Sequence, residues 1–124
     1  MSEGQMSPDR AELEKLLGKD IDELLVLLAQ SDPEHAETMF SSDEARDAGR
    51  RRFEQLSAPL RRRICHEWRY CEKKANGDLT DHVEIAVAVA DLITTVVGGL
   101  PVALVTALVM KRGLNQLCGC GASS

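Results

Sequence analysis

Residues 83–120 read VEIAVAVADLITTVVGGLPVALVTALVMKRGLNQLCGC, and between Ile85 and Met110 the only charged side chain is Asp91. No other part of the chain is comparably apolar. A segment of this kind must be wrapped by the rest of the protein, enter a membrane, or be handed to a partner. Its first part, Ile85-Ala86-Val87-Ala88-Val89-Ala90, alternates as a strand would. On a helical wheel, however, Asp81, Glu84, Ala88, Asp91 and Thr95 form one narrow polar stripe, with Val and Ile filling the remaining surface. The pattern therefore predicts a helix over residues 81–97. Gly98-Gly99 ends it, and Pro101 stands where the first position of a new helix would fall. That second helix, over residues 101–117, is apolar on all sides until Lys111-Arg112. The two arms make an apolar α-hairpin over residues 80–117, its second arm the expected centre of the fold.

Outward from the hairpin, the chain is divided by charge. Residues 1–45 carry a net charge of −9, residues 46–74 of +6, and residues 75–124 of −2. The acidic and basic blocks are expected to face each other, within one chain or across a homo-oligomer. Aromatic residues are limited to Phe40, Phe53, Trp68 and Tyr70, so the core must be aliphatic and Ala-rich, which suits helix-on-helix packing. A chain of 124 residues can bury such a core as one domain.

The amphipathic helices before the hairpin announce their own boundaries. After a disordered start at residues 1–8, Leu13, Leu16 and Leu17 recur at helical spacing until Gly18. Asp20 with Glu23, and Ser41 with Glu44, are capping-box pairs. The first opens a helix lined by Ile21, Leu24, Leu25 and Leu28, and the second opens one running toward Leu56. Asp32-Pro33 signals a further start that carries Ala36, Met39 and Phe40. Ser57-Ala58-Pro59 begins an Arg-rich helix over residues 57–76, with Leu60, Ile64, Trp68, Cys71 and Ala75 on one stripe. Asn76-Gly77-Asp78 closes it. The expected architecture is all-α: about five to six helices, with the acidic-to-basic ones of residues 9–56 and the Arg-rich one wrapped around the hairpin, and residues 118–124 as a flexible Cys/Gly/Ser tail.

The opening MSEGQMSPDRAELEK is polar and acidic, without an apolar signal-like run. The expected location is therefore cytoplasmic, with membrane association as the alternative. Cys65, Cys71, Cys118 and Cys120 are then expected as free thiols. With His66 and His82 they could furnish a tetrahedral zinc site, but C-x5-C and C-x-C are not zinc-knuckle spacings. The expectation is no metal and no cofactor. Arg46, Arg50, Arg51, Arg52, Arg61, Arg62, Arg63, Arg69, Lys73 and Lys74 could meet phosphates, yet no recognition motif accompanies them, and the acidic block can neutralise them. Nucleic acid is accordingly not the expected partner. His66 beside Glu67, and His82 with Asp81 and Glu84, have no nucleophile that the sequence places near them, so no catalytic residues are assigned.

These readings point to a small non-enzymatic adaptor or regulatory protein acting by protein–protein contact or self-association. Trp68, Ile85, Leu104 and Leu108 would supply burial. Arg50, Arg51, Arg61 and Arg62, with Glu12, Glu14, Asp22 and Glu23, would set orientation. A first alternative is a membrane-active effector that inserts the hairpin. Residues 92–110 are free of charge, although Gly98, Gly99 and Pro101 interrupt them and each arm falls short of the roughly 20 residues that a span needs. A second alternative rests on Gly98-Gly99 followed by Thr106, Cys118, Cys120, Ser123 and Ser124. That arrangement resembles the double-glycine leader and modifiable core of ribosomally made peptide precursors, which would imply cleavage after Gly99.

Overall fold

The computed structural model describes residues 10–32 and 41–120, and every regular element among them is helical. Seven α-helices follow in order: α1 (Arg10–Leu17), α2 (Ile21–Ser31), α3 (Ser42–Arg61), α4 (Tyr70–Ala75), α5 (His82–Ile93), α6 (Val102–Arg112) and α7 (Leu114–Cys118). A π-helical turn, Arg62–Glu67, joins α3 to α4.

The capping chemistry is realised at both expected boxes. Asp20 accepts from the Glu23 amide at 2.8 Å while Glu23 reaches back to the Asp20 amide. Ser41 and Glu44 do the same for α3. Each box satisfies amides that a helix start leaves without intrahelical acceptors. The helix start expected at Asp32-Pro33, with Ala36, Met39 and Phe40, lies outside the described residues; Asp32 itself is the C-cap of α2.

α2 and α3 run in the same sense. Asp22 pairs with Arg46, Leu25 meets Gly49, and Asp32 pairs with Arg52, so both helices advance together along their contact. Ala29, Ala45 and Ala48 are buried along this seam, and their small side chains permit a close backbone approach. These ion pairs join the acidic block to the basic one within a single chain.

In the Arg-rich region, two boundaries differ from the sequence expectation. The expected start at Pro59 is a continuation, since α3 runs through Pro59 to Arg61. Proline removes one helical hydrogen bond and crowds the preceding turn. Beyond Arg61 the chain widens into the π turn, where the Trp68 amide bonds to the Arg63 carbonyl five residues back at 3.1 Å. The Arg-rich helix also breaks at Arg69, which adopts φ 60° and ψ 54°. That left-handed residue redirects the chain, so Tyr70 is buried and Trp68 is only half-buried.

α6 is the most enclosed element. All eight residues from 103 to 110 are buried, and α1, α2, α5 and α7 all pack against it. Val97 and Leu100 are buried on either side of an exposed turn at Gly98-Gly99, where Gly98 takes φ 65°. α6 ends at Gly113, whose φ of 103° permits the break before α7. Pro101 is the N-cap of α6 and not its first helical residue.

The cysteines correct the expectation of free thiols. Cys65 is bonded to Cys118 and Cys71 to Cys120, with Cα atoms 5.4 Å apart in each pair. The physical reason lies in the Arg69 break, which sets Cys65 and Cys71 on two consecutive short elements facing α7. Residues 118–120, expected as the start of a flexible tail, are thereby tied to the π turn and α4.

Candidate functional site

Of the surface clefts among the described residues, two combine an apolar floor with basic side chains at the rim. The larger, about 430 Å³, lies between α2 and the start of α3. Val26 and Leu27, both half-buried, contribute its apolar part. Asp20, Asp22 and Glu23 line one side with Lys19, while Ser42 and Arg46 come from α3. The helix start concentrates these carboxylates, because Asp20 and Glu23 are the capping box and Asp22 lies in the first turn.

The smaller cleft, about 170 Å³, is built by α3, α6 and α7. Phe53 and Val109 form its buried floor, with Leu117 beside them. Arg61 and Arg112 stand at its rim with Ser57 and Gln116. Arg61 Nε donates to the Leu117 carbonyl at 3.2 Å, which answers an end-of-helix oxygen of α7 with a positive charge. The Arg112 guanidinium lies 5.4 Å from the centre of the Phe53 ring, within cation–π reach.

The structure distributes the sequence candidates among different roles. Leu104 and Leu108 are buried in α6, whereas Ile85 and Trp68 pack against the core from partly exposed positions. Arg50 is held by Asp47 at 3.4 Å, and Arg61 belongs to the smaller cleft. Arg51 and Arg62 are exposed on the α3 and π-turn surface. Asp22 reaches Arg46 at 3.8 Å, while Glu12 and Glu14 are exposed on α1.

Several residues that organise these surfaces carry no motif that periodicity could detect. Arg63, which donates to the Leu92 carbonyl at 2.8 Å near the end of α5, is one of them. Tyr70 is another: its hydroxyl donates to Asn115 Oδ1 at 2.9 Å, and burial pushes its phenol above the usual tyrosine range. Val26 and Leu27 were visible only as part of an apolar run. Their one available signal was their position just outside the stripe of Leu24, Leu25 and Leu28.

Among the described residues, no group of three or more His, Cys, Asp or Glu side chains is placed to hold a metal ion. No helix among them is long and apolar enough to cross a membrane. His66 and His82 are both exposed. No protein-family model matches this chain, and comparison with curated proteins and with solved structures likewise finds no match.

Proposed function

We propose that this chain is a non-enzymatic helical protein that acts through contact with a protein partner, as an adaptor or regulator. In this reading the amphipathic helices wrap an apolar α5–α6 hairpin, and the cleft between α2 and α3 is the contact surface. The observation that carries it is the burial of residues 103–110: this run of eight consecutive residues has almost its whole surface engaged inside the fold. What remains for recognition is a surface of mixed charge around Val26 and Leu27, a polar rim around a small apolar centre.

The same observation weighs against membrane insertion. α5 and α6 have 12 and 11 residues, about 18 and 17 Å of helix against roughly 30 Å of hydrocarbon. The disulfides weigh against release of a processed peptide. Residues 100–124 would stay bound to residues 1–99 through Cys65–Cys118 and Cys71–Cys120 after a cut at Gly99. Pairing of all four cysteines also favours an oxidising compartment over the cytoplasm.

The test sets Leu108→Asp beside wild type. The substitution buries an unpaired charge in α6, so the helical circular dichroism of the variant should collapse while wild type leaves dye-loaded liposomes intact. A helical Leu108→Asp protein, or leakage caused by wild type, removes the reading. Leu27→Asp should stay folded and lose the partner that co-purifies with wild type.

A further inference from the structure

Six of the ten arginines, Arg10, Arg46, Arg50, Arg52, Arg63 and Arg69, have a carboxylate partner. Arg61 and Arg112 have none among the described residues, and both line the same cleft of about 170 Å³ over Phe53, Val109 and Leu117. From this we propose that the cleft is a binding site for a carboxylate carried on a short apolar body.

The acids are not scarce enough to explain the vacancy by composition. With 20 Asp and Glu against 15 Lys and Arg, a chain of net charge −5 has carboxylates to spare. Instead, each of the two guanidiniums is held by a contact that does not neutralise it. Arg61 is fixed through Nε on the Leu117 carbonyl, and Arg112 lies over the Phe53 ring. An arginine anchored at Nε keeps its terminal nitrogens as donors, the planar array that carboxylates bind best. Pre-positioning spares part of the side-chain entropy that binding would otherwise consume. The floor is apolar, since the half-buried Leu117 lies beside the buried Phe53 and Val109 and none of the three side chains offers a polar group.

Size narrows the ligand. At about 170 Å³ the open cleft suits a short acyl body or a single side chain. That is the body of a medium-chain acid, or the last apolar side chain of a peptide ending in a free carboxylate. A drug-sized or nucleotide ligand needs more room, roughly 300 Å³ or above. The site is separate from the α2–α3 surface, so its failure would leave the proposed protein-contact reading untouched.

Calorimetric titration of the full-length, disulfide-bonded protein tests the proposal with four probes: hexanoate, hexanamide, the peptide N-acetyl-Ala-Ala-Leu as the free acid, and the same peptide amide. At least one acid should bind, and its amide about tenfold or more weaker, because the charge-assisted bonds are lost. Tighter hexanoate assigns the site to a small acid, and tighter peptide acid to a protein C-terminus. Arg112→Gln and Arg61→Gln should each lose about tenfold in affinity with circular dichroism unchanged, while Arg51→Gln, outside the cleft, binds as wild type does. If Arg61→Gln unfolds through loss of its bond to α7, Arg112→Gln decides alone. Equal binding of acid and amide, no binding of either acid at millimolar concentration, full affinity in Arg112→Gln, or an equal loss in Arg51→Gln would each overturn the proposal.

Discussion

A Cβ atom built on Gly49 would lie 1.9 Å from the Leu25 carbonyl oxygen and 2.7 Å from its carbonyl carbon. The obstacle is backbone, so it cannot rotate away as a side chain would. Gly49→Ala should gain about 1 kcal/mol in helix propensity yet separate α2 from α3, with a net loss of about 1–3 kcal/mol. Urea unfolding of the two proteins checks the sign. A higher midpoint for Gly49→Ala would mean that the close approach of these helices is wrong.

The Gly49 contact also shows where reading the sequence runs out. Capping boxes at Asp20 and Ser41 are local, their partners three residues apart, and they were legible without a structure. The apolar run of α6 was legible for a similar reason, because a helix that is apolar all round can only be buried or inserted. A glycine in an Arg-rich helix carries no such mark. Its necessity comes from Leu25, more than 20 residues earlier. The cysteine pairing was hidden by the same distance, since the partners are separated by 53 and 49 residues and meet only because Arg69 turns the chain. For the smaller cleft, the sequence supplied Arg61 but nothing to place it beside Arg112 and Phe53.

Thr106 sits at the middle of α6 with no exposed surface, and its hydroxyl has no hydrogen-bond partner among the described residues. An unpaired buried hydroxyl carries a desolvation penalty of about 1–3 kcal/mol, which an isosteric apolar residue avoids. Thr106→Val should therefore raise stability by about 1 kcal/mol. Thr106→Ser keeps the hydroxyl and loses a methyl, so it should lower stability by a comparable amount. The opposite order in thermal melts would show that the hydroxyl is satisfied in solution.

The two disulfides link the same pair of segments, so their effects should overlap. Closing a loop of 53 residues restricts the unfolded chain by about 4 kcal/mol, and the second bond then closes a much smaller ring. Replacing Cys65 and Cys118 together by Ser should lose less than that full amount while Cys71–Cys120 remains, and replacing all four cysteines should lose more than either pair. Denaturant midpoints measure this. Cys118 and Cys120 share one peptide, so partial reduction with alkylation and fragment sequencing is needed; it should recover 65–118 and 71–120 links, and recovery of the crossed pairs 65–120 and 71–118 would refute the arrangement.

Tyr70 is the only tyrosine in the chain, so its ionisation can be followed by ultraviolet absorbance without assignment. Burial raises its pKa above the ordinary tyrosine value of 10.0 in the folded state. Above that value the unfolded chain loses the phenolic proton before the native protein does, so the unfolded state binds fewer protons and stability falls as pH rises. The contribution is fully present below pH 10.0 and is lost as pH climbs through the folded-state pKa. Tyr70→Phe should be less stable at neutral pH by about 1 kcal/mol, the bond to Asn115 being lost. Its stability should then fall less steeply than that of wild type above pH 10.0. Parallel alkaline slopes for the two proteins would mean that Tyr70 ionises as freely in the fold as in the unfolded chain, and that α4 and α7 are not packed around it as described.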